Sequence, residues 1–249
     1  MFDFHDKIAV ITGAGSGIGR ATAAFFHACG ARVVLADINA AAVEAAAVDL
    51  GDPERSAWSV YDATDPDAAE RLVALALARF GRIDQLVIAA GIYERQNVAS
   101  MSDAQWRRMM AVNLDGAFYV ARACARAMLA SEAGSGAIVG ISSVAGHQGG
   151  SFAHAHYGAS KGGMLAFVRG LARDLAPAIR VNAIAPGWID TPMVAETLRG
   201  SGEAKLKAIP LRRIGAPREV ASVAAFLCSE AASFVTGESV IVAGGAYMG

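Results

Sequence analysis

From Lys7 to Val242 the chain alternates short, almost unbroken apolar runs with longer segments whose apolar positions recur at helical spacing. The runs Lys7–Thr12, Arg32–Asp37, Ser56–Tyr61, Gln85–Ala89, Ala137–Ser142, Arg180–Ala185 and Ser239–Val242 read as strands covered on both faces, because a strand with one face in water alternates apolar and polar residues. The segments Ile18–Cys29, Asn39–Leu50, Pro66–Phe80, Asp103–Leu129, His156–Leu175 and Pro217–Cys228 read as helices, with Gly30 and Gly81 beyond the last periodic residue of two of them and Asp65 before Pro66 at the start of another. Strict alternation of strand and helix implies right-handed crossovers. The expectation is α/β: one domain over residues 1–249 with a doubly wound, seven-stranded parallel sheet and helices on both faces. No linker, repeat or low-complexity segment divides the chain. The stretch Pro186–Pro210 holds several helix and strand breakers and is expected to be a loop or short helical excursion, the usual place for a substrate lid.

Composition narrows the class. With 249 residues, 54% of them hydrophobic and 18% charged, the chain is long and apolar enough for a large core, which excludes disorder. Its mean hydropathy of +0.37 raises the question of a membrane protein, but apolar stretches such as Val220–Cys228 are broken by Ser, Glu or Arg well short of the ~20 residues a span requires. Twenty-two basic against 23 acidic side chains leave a net charge of −1, so no basic footprint exists for nucleic acid or anionic lipid. Cys29, Cys124 and Cys228 stand apart on apolar stretches without CxxC spacing and read as buried small hydrophobes in a reducing compartment. With no secretory pattern near Asp3 and Asp6 and no lipidation signal at Tyr247-Met248-Gly249, a cytoplasmic location is expected.

The first candidate chemistry lies between the first strand and helix, in Thr12-Gly13-Ala14-Gly15-Ser16-Gly17-Ile18-Gly19. Glycines there let the backbone turn tightly and approach a pyrophosphate, and the free N–H groups at the helix start supply donors and partial positive charge. Asp37 ends the second strand, 24 positions after Gly13, close to the ~20 expected for an acid that accepts from an adenosine ribose. Together they point to a Rossmann fold that binds a dinucleotide. Asp37 also suits the N-cap of the helix near Asn39, and one carboxylate can serve both roles. Facing the ribose, it would repel a 2′-phosphate, which favours NAD over NADP; Arg20, within the first helix, and Arg32, at a strand start, are the cations that would argue otherwise. Asp62-Ala63 and Ala90-Gly91 follow the third and fourth strands at carboxyl ends, where open α/β sheets bind ligands. Asp62 is equally readable as an adenine contact or a turn acid.

Tyr157 and Lys161 are four apart at the start of a predicted helix and therefore share one face. A free phenol titrates near ~10, so a phenolate at neutral pH requires a neighbouring ammonium; a drop of about three units corresponds to about 4 kcal/mol. Such a pair by itself is usually an exposed amphipathic face. Ser143, at the end of the fifth strand, adds a hydroxyl able to place a substrate oxygen beside Tyr157. Asn113 stands among apolar neighbours on the long Asp103–Leu129 helix, where a buried amide needs partners.

With these residues in view, the chain resembles a short-chain dehydrogenase/reductase of about 250 residues, from Lys7 to Gly245. The family's cofactor motif matches Thr12–Gly19 and its Asn-Ser-Tyr-Lys tetrad matches Asn113, Ser143, Tyr157 and Lys161. Its Pro-Gly motif matches Pro186-Gly187, with Ile189 and Thr191 at positions that contact the nicotinamide carboxamide, and its late Thr-Gly and Gly-Gly pairs match Thr236-Gly237 and Gly244-Gly245. The resemblance implies that Tyr157 is the acid/base, that Lys161 lowers its pKa and holds the nicotinamide ribose, that Ser143 positions the substrate oxygen and that Asn113 supports a relay water. The full cofactor set is then Gly13, Ser16, Gly17, Ile18, Gly19, Asp37, Ile38, Asp62, Ala63, Ala90, Gly91, Tyr157, Lys161, Pro186, Gly187, Ile189 and Thr191. The sequence departs from the family at Ala89, where an Asn usually braces the central strands, at Gly140, where Asn is common, and at Ala243, where Asp is common. Ser143 and Tyr157 are 14 positions apart, one more than the commonest spacing, which places an inserted residue in the loop His147–Ala155.

For the substrate, Tyr93, His147, His154 and Trp188 are the candidates beside Ser143, with Trp188 expected to pack over the nicotinamide or substrate. His147 and His154 read equally as substrate partners or loop histidines, and Arg95 as a carboxylate clamp or a solvated side chain. His154-Ala155-His156 lacks a nearby carboxylate or Cys, so no metal is expected. The leading expectation is an NAD(H)-dependent oxidoreductase interconverting a small or cyclic secondary alcohol and its ketone. An NADPH-dependent 3-oxoacyl-thioester reductase is the alternative within enzymes, and a non-catalytic nucleotide-sensing scaffold the alternative outside them. The resemblance also implies a homotetramer built on Asp103–Leu129, Tyr157–Leu175 and the C-terminal strand, segments that would serve equally as internal core.

Overall fold

A computed structural model describes residues 2–199 and 206–249 of the chain. Seven parallel strands form one sheet in the order β3-β2-β1-β4-β5-β6-β7: β1 Ile8–Thr12, β2 Arg32–Asp37, β3 Ser56–Val60, β4 Gln85–Ile88, β5 Gly136–Ile141, β6 Ile179–Pro186 and β7 Ser239–Val242. The order reverses between β1 and β4, and the pairs Thr12–Ala36, Thr12–Ile88 and Ile141–Ile184 bring all the carboxyl ends to one edge. Parallel sheets with such a switch point open a crevice there.

Alternate residues of each strand face opposite layers, which is why the strands read as continuously apolar. Val10, Val34, Leu86 and Ile138 join α3 (Pro66–Phe80), α5 (Gly116–Ala130) and α7 (Ala155–Leu175) in one core. Ala9, Ile11, Val33, Leu35 and Val139 join α1 (Gly17–Ala28), α2 (Ala40–Asp49) and α9 (Pro217–Cys228) in the other. Residues such as Ala23, Ala46, Ala121 and Ala224 let these helices approach closely, and this is where much of the sequence's alanine resides.

The structure revises three sequence expectations. Asp103–Leu129 is not one regular helix: α4 (Asp103–Met110) passes through a π-turn, Ala111–Asp115, into α5. A Cβ at Gly116 would fall 2.6 Å from the Ala63 carbonyl oxygen, so α5 lies against the β3–α3 loop, and the wider turn above it re-aims Asn113 inward. Residues 147 and 148 are not loop, because a short helix α6 (Val144–Gln148) begins directly after Ser143. The N-cap of α2 is Asn39, whose side chain accepts from Ala42 N, not Asp37. In the expected lid, α8 (Pro192–Arg199) is helical, and the 200–205 portion lies outside the described residues.

Cys29, Cys124 and Cys228 are buried and free. Among the described residues no helix is long and apolar enough to cross a membrane.

Candidate active site

A cavity of about 620 Å³ runs along the carboxyl edge of the sheet at the switch point. Its nucleotide end is built on Gly13, at φ +67°, where any Cβ would lie 2.7 Å from Ala90 N and 2.8 Å from Ala89 O. A Cβ at Gly19 would stand 2.1 Å from the Gly13 carbonyl oxygen. Side chains are thus excluded at these two positions, where only backbone fits. Ser16 caps α1 without a side-chain hydrogen bond, so the first-turn N–H groups are not taken up by a capping hydroxyl. The result is a cradle for an anion at a helix start.

Asp37 closes this end. Its Oδ2 accepts Gly15 N at 3.0 Å and its Oδ1 accepts Asn39 N at 2.9 Å, which fixes the carboxylate at the rim of the cavity beside Ile38. The cations that would oppose it are elsewhere: Arg20 pairs with Asp49 and Arg32 lies 3.7 Å from Asp6. Among the described residues lining the cavity the only basic side chains are Arg108, paired with Glu94, and Lys161. Asp62 lines the cavity and also accepts the Thr64 N–H and hydroxyl at 2.8 Å, so it is a turn acid with an open flank. Where Ala89 replaces an Asn, the loop after β4 is tied to β1 through the Thr12 hydroxyl, which accepts Ala90 N at 3.2 Å.

At the other end Ser143, Tyr157 and Lys161 come together on the wall with Ala90, Gly91, Pro186, Gly187, Ile189 and Thr191. The Ser143 Oγ accepts Ala145 N at 3.1 Å in the first turn of α6. Burial pushes the Tyr157 phenol up to about 12, more than the neighbouring Ser143 hydroxyl pulls it down. Lys161 is 6% exposed, and burial pulls its ammonium down to about 8. Its Nζ donates to the Ile141 carbonyl at 2.8 Å and sits 6.0 Å from the centre of the Tyr157 ring. The sequence reading, in which Lys161 depresses Tyr157, is therefore not realised by the chain alone: burial dominates both groups.

Asn113 does not line the cavity. It is 1% exposed behind Gly91, where its Oδ1 accepts Ile92 N at 2.8 Å and its Nδ2 donates to Ile92 O at 3.0 Å and to Ser160 Oγ at 3.1 Å. A Cβ at Gly91 would fall 3.2 Å from that Oδ1 and 3.4 Å from Lys161 Nζ, so the amide and the ammonium converge on one glycine. Ser160, absent from the sequence reading, also donates to Tyr157 O at 2.8 Å and links Asn113 to α7.

The substrate candidates separate. His147 is turned away from the cavity: its Nε2 lies 3.1 Å from Ser239 Oγ and its ring stacks on Tyr247 at 5.3 Å, because α6 carries it back toward the C-terminal segment. Trp188 is half-buried and off the cavity wall, since the backbone at 188 turns to pair with Gly215. Tyr93 and His154 are also off the wall but pack against Tyr157. Among the described residues no three His, Cys, Asp or Glu side chains form a metal cluster. Additional wall residues are Tyr61, Thr64, Ile92, Arg108, Val112, Ser142, Met193 and Val194. Tyr61 and Ser142 follow from the strand-end rule. Arg108 and Val112 arrive from α4 and the π-turn, which no strand-end argument reaches.

A family model described as enoyl-(acyl carrier protein) reductase matches residues 13–247. The chain belongs to the short-chain dehydrogenase/reductase family. Members of the short-chain dehydrogenase/reductase family are oxidoreductases that use a nicotinamide cofactor, and this chain is one of them. It is 40% identical over 244 residues to the cis-4-hydroxycyclohexanecarboxylate dehydrogenase of Sinomonas cyclohexanicum, covering 97% of each chain. It is 41% identical to the galactitol 2-dehydrogenase (L-tagatose-forming) of Cereibacter sphaeroides, over 98% of this chain and 96% of that one. It is 38% identical to the 3-oxoacyl-[acyl-carrier-protein] reductase of Thermotoga maritima, over 96% and 97%. Among solved structures, a short-chain dehydrogenase/reductase (glucose/ribitol dehydrogenase) from Brucella melitensis superposes with a TM-score of 0.95 at 48% identity, covering 100% of this chain and 99% of that one.

Proposed function

We propose that the protein is an NAD(H)-dependent oxidoreductase that interconverts a secondary alcohol and its ketone, with Tyr157 as the acid/base. The observation that carries this reading is the placement of Ser143, Tyr157 and Lys161 on one cavity wall whose opposite end is closed by the Asp37 carboxylate. The glycine cradle and uncapped α1 amides fit a pyrophosphate. Asp37 fits a pair of ribose hydroxyls and repels a 2′-phosphate, and Asp62, Ala63 and Ile38 suit the adenosine. When bound, the nicotinamide exchanges a hydride with the carbinol carbon of the substrate.

The chain's own residues supply the rest. Ser143 donates to the substrate oxygen and holds it at Tyr157. Tyr157 takes the hydroxyl proton in oxidation and returns it in reduction. Lys161 keeps a donor beside the phenol, Asn113 fixes the loop after β4, and Pro186, Gly187, Ile189 and Thr191 line the same cavity.

A small or cyclic secondary alcohol suits the cavity, and the names of the hydroxycyclohexanecarboxylate and galactitol relatives favour that class. The name of the Thermotoga maritima relative keeps a 3-oxoacyl-thioester reductase using NADPH as the second reading; Asp37 stands against it. A nucleotide-sensing scaffold has no support, since all four tetrad members are present. A homotetramer accords with the exposed Trp106 and Phe118 on α4 and α5 and with the half-buried edge strand β7. Buried free cysteines accord with a cytoplasmic, reducing setting.

The test is a panel of secondary alcohols with NAD at alkaline pH, run on wild type and Tyr157→Phe. Turnover by wild type that disappears in a variant still binding NADH supports the reading; turnover at wild-type rate in Tyr157→Phe removes it.

A further inference from the structure

The loop between α6 and α7 has a constrained backbone beside Tyr157. After α6 the chain passes through left-handed backbone at Gly149 (φ 80°), Gly150 (φ 85°) and Ala153 (φ 64°). Ala153 is held there by its carbonyl, which accepts Gln96 N at 2.8 Å and ties the loop to the segment after β4. A non-glycine residue in this conformation persists only where its surroundings over-determine it. The next residue, His154, is the N-cap of α7 and is 4% exposed.

The His154 ring stacks on Tyr93, with centroids 4.8 Å apart and planes inclined at 27°. Tyr93 meets Tyr157 edge-on at 5.1 Å and 89°, and the His154 ring itself stands 6.4 Å from Tyr157. Nδ1 of His154 lies 2.8 Å from Ser151 Oγ, while its buried Nε2 has no hydrogen-bond partner among the described residues. A neutral imidazole tolerates that arrangement with Nε2 as the bare acceptor. An imidazolium does not, because its second N–H would be buried with nothing to receive it.

We propose that His154 is a positioning residue for Tyr157 that acts through Tyr93, and that it acts only as the neutral imidazole. Protonation forces the ring out of the stack, Tyr93 loses its backing, and the Tyr157 phenol loses the edge that sets its direction toward Ser143. The charged and titratable groups facing His154 accord with this. Arg95, from the segment after β4, and His156, on α7, oppose a positive charge there, and burial opposes it more strongly, so His154 titrates below the ordinary histidine range. Glu94 acts on neighbouring His156, whose own pKa burial also lowers. Tyr93 and Tyr157 are the remaining titratable neighbours.

The inference rests on Tyr157 being the acid/base, and its test is arranged to separate the two. The five tyrosines are labelled with ¹³C at the ring carbon bearing the hydroxyl, and the Tyr157 signal is assigned with Tyr157→Phe. In wild type the Tyr157 signal shifts in mild acid with the midpoint of His154 titration; in His154→Phe, which keeps a flat ring on Tyr93 but cannot be protonated, that shift is lost. On a secondary alcohol that the wild type oxidises, His154→Ala lowers kcat about 10-fold or more, NADH affinity is unchanged, and His154→Phe restores most of kcat and loses the acid limb at that midpoint. A Tyr157 signal that ignores His154 protonation, or an acid limb unchanged in His154→Phe, overturns the inference. If Tyr157→Phe is inactive while both His154 variants behave as wild type, this inference alone fails. If Tyr157→Phe keeps full turnover, both fail.

Discussion

Lys161 holds its ammonium 6.0 Å from the centre of the Tyr157 ring, but its hydrogen bond goes to the Ile141 carbonyl. A buried cation kept for chemistry should cost the fold. Lowering its pKa from 10.5 to about 8 corresponds to about 3 kcal/mol at 1.36 kcal/mol per unit. The unfolded chain holds the Lys161 proton more tightly, so the cost is fully present below pH 8 and fades as pH rises toward 10.5. Lys161→Met should therefore be inactive yet about 1–3 kcal/mol more stable than wild type at neutral pH, with the gap narrowing toward pH 10. Denaturant unfolding at several pH values checks this; a less stable variant at neutral pH would contradict it.

Tyr157, pushed up to about 12, is a phenol over the whole neutral range. Ketone reduction needs the protonated form and alcohol oxidation the phenolate. Oxidation rates should climb steadily into the alkaline range, while reduction should be highest at lower pH. Initial rates in both directions across pH test the assignment, and an oxidation optimum below neutrality would exclude it.

In the proposed reading, Asp37 makes cofactor choice an electrostatic matter. Replacing it with Asn keeps a side-chain oxygen for Gly15 N and removes the charge, so Asp37→Asn should narrow the NADH preference by about 10-fold. Adding Ile38→Arg, at a position 67% exposed on the rim, should carry the preference over to NADPH. Fluorescence titration of both reduced cofactors measures this, and tighter NADPH binding by the wild type would reverse the cofactor assignment.

Two glycines of the same backbone type should differ. Gly13 and Gly51 both have φ near +67°, but a Cβ at Gly13 meets Ala90 N at 2.7 Å whereas one at Gly51 meets nothing within 4 Å. Gly51→Ala should cost about 1 kcal/mol from backbone strain alone. Gly13→Ala should cost about 3 kcal/mol or more and abolish NADH binding, because strand β1 and the β4 loop must separate. Thermal unfolding of the pair gives the comparison.

The assembly expected from the family is tested by sedimentation velocity. A tetramer should form through the apolar faces of α5 and α7 and the β7 edge, and Phe118→Glu, at a side chain 41% exposed, should break it into smaller species. A wild-type monomer at micromolar concentration would refute it.

The doubly wound sheet was legible because each strand's apolar run and each helix's period arise from local covalent geometry, and all seven strands fall within two residues of their expected ends. The cavity lining proposed for the cofactor was legible for the same reason: its residues sit at strand ends and in one glycine turn, positions that topology dictates. Every one of them lies on the cavity wall. Asn113 was recognisable as an amide out of place, but the π-turn that carries it was not, since no short-range spacing signals one. His147 was misdirected because nothing local announces a short helix after Ser143 or the stacking partner Tyr247, 100 positions away.

What the sequence determined by itself is the order and type of elements, the glycine cradle and the presence of the Tyr-Lys and Asn-Ser groups, all consequences of periodicity and short-range spacing. Tertiary structure alone decided their electrostatics. Burial of Tyr157 and Lys161 against β5 moves both away from their free pKa values, and the loop after α6 sets beside the phenol an imidazole whose Nε2 has no hydrogen-bond partner among the described residues. Desolvation and long-range packing depend on atoms far apart in the chain, and only the folded molecule brings them into contact.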